Sequence, residues 1–578
     1  MKKRYMLFAA IALLLAGCSL TNNGTNSQTK TTNTDIVTTV ESKSDVFADG
    51  DYETKTEEDV DVNISLNYTS IETDDNTRVT VDNNVATISK KGTYYVSGTL
   101  NDGYLVVNVP DTDNVTLVLD NCNITSNSFA GIYFLQGNKL SLQLEGDNYI
   151  SNVESYVNID DNNVDGAIYA KDDLCIKGDG SLTVTSTNHG IVAKDDLKVM
   201  SGKVTVNATK KGLDVNDSLL ISDGTINITS GTDGIHVENT DDSTKGYLYM
   251  EDGTLNITSG YDGIDVSSYI TILEGDVNIK TGGGSSHSTS STNSLKGMKA
   301  KTNMSLGNVS GTINSADDAL HANSSIVLGG VDLELASADD GIHADNTVTI
   351  NSGTVNIAKS YEGLEAETIV INDGNISIVA SDDGINAAGG NDTSSTGGFF
   401  GRDSFASSGS GSLTINGGTL IVNSTGDGLD ANGSITMTGG TVYVYGPTNN
   451  GNGALDYDTA FTITGGTIVA IGSSGMAMNA SSATQGSILV NFASSCSANT
   501  TVYVKDSQGN VIVEVTSPKA FNSVMVSSQN LKKGETYTIS AGSNSTSITL
   551  NSYVSGSSSA AMPGQGGAGG MGGFGGRR

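Results

Sequence analysis

The sequence has no tryptophan, only 4 prolines and 4 cysteines in 578 residues, and 30 basic against 64 acidic side chains. Each shortage excludes something. Three of the cysteines, Cys122, Cys175 and Cys496, form an odd and widely spaced set that fits neither a disulfide framework nor a zinc site. They read as small buried core residues. The formal charge of −34 excludes nucleic acid and anionic lipid surfaces as partners and calls for something cationic to neutralise it. No long stretch carries helical apolar spacing, so helical domains are excluded. A Gly-rich phosphate loop, a nucleophile elbow and an HExxH pattern are also missing.

The fourth cysteine stands at the end of a signal-like segment. Lys2, Lys3 and Arg4 precede an apolar stretch from Tyr5 to Ala16, which is too short to span a bilayer as a mature helix. Leu15-Ala16-Gly17-Cys18 then has the small-residue form of a lipoprotein signal ending. Residues 1–18 are therefore expected to be a signal peptide, with Cys18 taking the lipid. The Ser/Thr/Asn-rich residues 19–45 are expected to be a flexible tether, and the protein is expected at the extracellular face of the bacterial membrane.

What the chain has in abundance is glycine, 71 residues of it, arranged in a repeat. One unit runs Asp223-Gly224-Thr225-Ile226-Asn227-Ile228 and then Asp233-Gly234-Ile235-His236-Val237. It returns as Ser352-Gly353-Thr354-Val355-Asn356-Ile357 and then Glu362-Gly363-Leu364-Glu365-Ala366. The corner position recurs at steps of 22, as from Gly212 to Gly234 and from Ala319 to Gly341 to Gly363. A fixed step of that size, with two-periodic strands and no room for a helix, predicts an all-β chain built as a parallel β-helix, one repeat per turn. The expected layout is an N-terminal β cap and first irregular turns over 46–160, the helix over 161–483, a small β cap or sandwich over 484–551, and a disordered Gly-rich tail over 552–578. Two Gly/Ser-rich insertions, Thr281 to Asn293 and Ala388 to Gly411, flank the same corner.

The residue before the corner reads Asp233, Asp262, Lys296, Asp318, Asp340, Glu362, Asp383 and Asp427 in successive turns. Two positions after it come His236, Asp265, Lys299, His321, His343, Glu365, Asn386 and Asp430. Stacked turns lie about 4.8 Å apart, so these are two columns in which like carboxylates repel. Calcium, which accepts six to eight oxygens in loose arrangements, suits such a column, with Asp317, Asp339 and Asp382 as further ligands beside their neighbours. For any single pair, Asp before Gly is also an ordinary turn residue that accepts backbone hydrogen bonds. The histidines read as hydrogen-bonded turn residues rather than zinc ligands.

The run from Asp160 to Leu174, followed by Gly180-Ser181-Leu182-Thr183-Val184 and by Asn188 to Leu197, resembles a bacterial lipoprotein family described as carbohydrate-binding, with pectate-lyase-like β-helix structure. The likeness covers roughly residues 46 to 550. It implies a right-handed parallel β-helix, calcium held between stacked turns, and binding of cellulose-like or acidic pectin-like glycans at the cell surface. Carried over by position, it implies Asp317, Asp318, Asp339, Asp340, Glu362, Asp382 and Asp383 as ligands.

Three readings of function follow. A binder needs exposed aromatic faces, which without tryptophan must be Tyr261, Tyr361, Tyr443 and Tyr445. A calcium-dependent lyase working by β-elimination needs a base, for which Lys296 and Lys299 are the placed candidates, although lysines that pair with neighbouring carboxylates are the simpler account. A structural or adhesion rod is the third. Binding is the expected function, with polysaccharide as partner and the chain as a monomer.

Overall fold

The computed structural model describes residues 46–152, 156–157, 159–287, 293–388 and 410–556, together with 40 and 42. Cys18, most of the tether, most of the second insertion and the Gly-rich tail from residue 557 lie outside the described residues.

The described chain is all-β with parallel sheets. Alternation creates the strands. In Thr225–Ser230, Ile226 and Ile228 turn inward and are buried, while Thr225, Asn227 and Thr229 face out. This strand pairs in parallel with Lys203–Ala208 one repeat before it and with Thr254–Ser259 one repeat after. The inward residues of successive repeats form one continuous apolar cluster, where each fully buried Ile or Leu contributes roughly 1.5–3 kcal/mol.

A second sheet of 15 strands, parallel from Val85–Ile88 onward, includes very short strands at Leu213–Val215, Ile235–Val237, Ile264–Val266, Met298–Ala300, Leu320–Ala322, Ile342–Ala344, Leu364–Glu365, Ile385–Ala387 and Leu429–Ala431. The corner residue precedes each of these strands. A Cβ on Gly234 would lie 2.3 Å from Ile257 Cγ2 and 2.6 Å from the Gly263 carbonyl oxygen. Close approach of the next turn is thus the reason for glycine there, and it holds the chain tight at the start of each short strand.

Both ends depart from the repeat. Near the start, Val62–Tyr68 pairs antiparallel with Ile71–Thr73, and Val79–Asp82 with Val85–Ile88. Near the other end, Phe521–Ser528 runs antiparallel to both Thr467–Gly472 and Gly486–Cys496. A four-stranded antiparallel sheet follows, over a separate apolar cluster. Antiparallel strands here cover edges that would otherwise expose unpaired backbone. Cys122, Cys175 and Cys496 are free and buried, as their spacing predicted, and burial pushes the Cys122 thiol up to about 12.

Candidate functional site

The short ladder sets its outward residues in register. Asp214, His236, Asp265, Lys299, His321, His343, Glu365, Asn386 and Asp430 stand opposite one another from strand to strand. The residues before the corner align beside them, because each corner amide donates to the carbonyl of the equivalent residue one turn on, as from Gly341 to Glu362. Part of the carboxylate capacity goes to backbone. Asp318 Oδ1 accepts from the Asp340 amide at 3.0 Å, Asp340 Oδ1 from the Glu362 amide at 3.3 Å, and Asp383 Oδ1 from the Asp427 amide at 2.5 Å. The turn role of these acids and their columnar role coexist.

In the earlier turns lysines and histidines meet most of the column's acids, although burial still raises Asp233, and Asp262 to about 7. Lys211 Nζ lies 2.9 Å from Asp214, and His236 Nδ1 lies 3.2 Å from the same carboxylate. Lys296 reaches forward one turn to Asp317 at 2.9 Å and Asp318 at 2.5 Å, while Lys299 reaches back to Asp265 at 3.3 Å and Asp262 at 3.6 Å. Burial opposes ionisation of Asp318, yet Lys296 and His321 hold it well below the usual carboxylate range. Against the same burial effect, Asp265 and Asp262 hold Lys299 above its ordinary value. Both lysines are committed ammonium groups, a poor arrangement for taking a proton from a substrate.

The later turns lack that provision, since neither column carries a lysine after Lys299. His343 is 1% exposed, with Nδ1 3.3 Å from Asp340 and 2.6 Å from Glu365 and Nε2 3.4 Å from Asp345. Burial works against its charge, but these three carboxylates hold its pKa well above the ordinary range. It stacks on His321 at 4.8 Å and 9°. A protonated His343 is no metal ligand, although its ring nitrogen and the oxygens of Asp340 and Glu365 lie within 4.8 Å of one another.

Next along the column, Glu362 is 3% exposed, and its Oε2 has no hydrogen-bond partner. Asn386 Oδ1, one turn on, is buried and unpartnered in the same way. Burial and the neighbouring Asp340, Glu365 and Asp383 push Glu362 well above the usual range, and Asp340 is raised likewise. Burial raises Asp427 to about 7 and, with Asp427 and Asp383 adding to it, Asp430 to about 8. Asp382 and Asp383 converge, since a Cβ on Gly426 would lie 2.4 Å and 2.2 Å from their Oδ1 atoms. Buried oxygens without donors, among carboxylates that cannot all ionise unaided, fit an oxygen-preferring cation.

Other predicted residues fall differently. Asp317, Asp318 and Asp339 bring ligand atoms within 4.8 Å of one another, but the Lys296 ammonium already serves that group. Tyr261 and Tyr361 are half-buried at the corner, whereas Tyr443 and Tyr445 lie on the long ladder, packed against the apolar cluster of the C-terminal cap. The four tyrosines therefore do not form one platform. One group escaped sequence reasoning: Asp195, Asp196 and Asp217, at the far end of the short strands, also converge within 4.8 Å. Burial and the adjoining Asp217 raise Asp195 to about 7, and Lys245 pairs with Asp217. The recurrence of Lys171-Asp172-Asp173 as Lys194-Asp195-Asp196 one turn later was the available signal.

The family described as carbohydrate-binding domain-containing protein matches residues 82–341 and again 335–565. A carbohydrate-binding domain-containing protein of Acetivibrio thermocellus is 40% identical over 230 residues, which are 39% of this chain and 80% of that protein. A solved structure, the polysaccharide lyase-like protein from C. thermocellum as a gadolinium derivative, is 38% identical. It covers 39% of this chain and 92% of that one, with a TM-score of 0.38.

Proposed function

The chain belongs to the carbohydrate-binding domain-containing protein family, and we propose that it binds polysaccharide through a calcium-loaded stretch of the acidic corner, as a lipoprotein anchored at Cys18 on the extracellular face of the bacterial membrane. The repeat-to-repeat parallel pairing supports reading residues 161–483 as a right-handed parallel β-helix with that corner along one edge. The observation that carries the calcium reading is the orphaned Glu362 Oε2 beside the orphaned Asn386 Oδ1. Glu362, Glu365, Asp383 and Asn386, with Asp427 and Asp430 beyond them, would hold the ion, which would supply positive charge for the hydroxyl or carboxylate oxygens of a sugar. Without it, an anionic glycan meets a repulsive edge, so one ion serves both fold and ligand.

The lyase alternative asks for a free base at the corner, and the ion-paired state of Lys296 and Lys299 weighs against it. Co-sedimentation of residues 46–551 with insoluble acidic and neutral plant polysaccharides, in calcium and then in chelator, tests the reading. Retention that calcium raises and chelator lowers, with no unsaturated sugar released, is the expected result. Release of unsaturated product would replace the binder by a lyase, and neither retention nor product would leave a structural rod.

A further inference from the structure

The strongest unexplained feature outside the corner lies on the outer face of the long ladder. Residues 46–56 cross three successive strands there, and among them only Asp51 is buried, at 1% exposure. Its carboxylate enters a socket of lysines. Lys139 Nζ is 2.7 Å from Oδ1 and Lys198 Nζ is 3.0 Å from Oδ2. Lys177, on the strand between them, is 4% exposed and reaches only strap carbonyls, those of Asp51 at 3.3 Å and Gly50 at 3.4 Å. Gln143 completes the socket, accepting from the Lys55 amide at 2.6 Å and donating to the Lys55 carbonyl at 2.8 Å.

The balance of charge is unusual for this chain. In a protein with a formal charge of −34, three lysines gather around one carboxylate that arrives from a mostly exposed segment. Burial opposes ionisation of Asp51, yet Lys139 and Lys198 hold it down to about 2. Burial lowers Lys177, which has no carboxylate of its own. Asp51, with Asp196 and Asp173 adding to it, holds Lys198 above its ordinary value against burial. A fastening alone would be served by apolar contacts such as that of Phe47 with Tyr249, at 6.4 Å between ring centroids.

We propose that Lys139, Lys177, Lys198 and Gln143 form a second glycan site, specific for the carboxylate of an acidic sugar, which the chain's own Asp51 occupies and gates. The lysines stand on adjacent strands about 4.8 Å apart, so a chain of uronate residues lying along the stack offers several carboxylates where the strap offers one. The strap's advantage is its tether, an effective concentration on the order of millimolar for short linkers. A multivalent polymer overcomes this where a single sugar does not. This site needs no metal, which separates it from the corner proposed above.

The test uses the full chain in chelator, so that calcium-dependent binding at the corner is silent, with oligogalacturonate as probe and a neutral cello-oligosaccharide as control. Replacing Asp51→Asn frees the socket and is expected to tighten oligogalacturonate binding by roughly tenfold or more, the tether's contribution being removed. Added salt should weaken that binding, and Lys139→Gln with Lys198→Gln in the same background should abolish it. Where D51N does not fold, the parent decides alone: oligogalacturonate, but not the neutral control, should speed tryptic cleavage after Lys55 as the strap lifts. Unchanged affinity in a folded D51N protein, or for the parent an unchanged cleavage rate, would overturn the proposal and leave Asp51 a fastening only.

Discussion

Two stretches of one column share a backbone and differ in charge economy. From Lys211 to His321, Asp214, Asp262, Asp265, Asp317 and Asp318 each meet a lysine or histidine from their own or an adjoining turn, and Asp233, among the described residues, does not. From Asp340 to Asp430, one histidine faces a run of acids, and a buried Glu362 oxygen has no partner. The ladder geometry is the same in both, with aligned positions in every turn. The difference shows that stacking like charges is tolerable wherever a long cationic side chain can bridge turns. Where none is supplied, the acids are held up against ionisation, and the proposed calcium would be the cation that lets them ionise.

The largest expected effect erases the distinction. Lys296→Ala strips Asp317 and Asp318 of their ammonium and should cost about 3–5 kcal/mol, as when one partner of a buried ion pair is removed. Chemical denaturation reads it, and calcium should recover part of the loss, since the earlier stretch would then resemble the later one. A loss that calcium leaves untouched would mean that ion binding depends on more than unpaired acids.

A middle-sized effect separates, by the sign of its pH dependence, the acids that close cations hold low from those that burial raises. Asp214 and Asp318 sit below their ordinary values, so their stabilisation is present above about pH 4 and is lost as pH falls through the folded pKa, whereas in the same stretch burial raises Asp233, and Asp262 to about 7. In the later stretch Asp427 and Asp430 are raised to about 7 and about 8. The unfolded chain ionises first there, so stability is full below about pH 4 and drains away as pH rises through 7 and 8. His343, raised as well, acts in the same direction. The protein in chelator should therefore melt several degrees lower at pH 8 than at pH 5.5, and calcium at a hundredfold excess over Kd should add about 2.7 kcal/mol at the higher pH. Identical melting curves with and without calcium at pH 8 would remove the ion from the later stretch.

The smallest effect compares two equivalent tyrosines. Tyr261 precedes the corner beside Asp262, in the self-paired stretch, and Tyr361 precedes it beside Glu362. If glycan docks where the ion sits, Tyr361→Ala should weaken retention by about 0.5–1.5 kcal/mol, the worth of a ring contact, and Tyr261→Ala should not. Equal losses in the sedimentation assay would spread the binding face over both stretches.

Much of this was legible in the chain because the repeat is so regular. A recurring step of 22, lengthened only by insertions, and two-residue alternation fix which residues share a column, since a slip of one residue would turn Ile226 and Ile228 out to solvent. The candidate acids were found on that basis. The fate of their charges was not legible, because a lysine side chain spans a turn in either direction: Lys296 goes forward to Asp318 and Lys299 back to Asp265. Nor could alternation show that the C-terminal cap would pack on Tyr443 and Tyr445, since in sequence they look as outward-facing as any other residue of a ladder strand.

The sequence by itself determined the period, the inward and outward faces and the alignment of the columns, because these follow from backbone geometry repeated at short range. Tertiary structure alone decided which charges are satisfied and which are not. It brought Asp51 to Lys139 and Lys198 across 88 and 147 residues of chain, and it left Glu362 Oε2 without a donor while giving Asp318 the Lys296 ammonium and the His321 ring nitrogen. Such pairings depend on where flexible side chains and a folded-back segment come to rest, and on how much water is excluded there, quantities that no local pattern encodes.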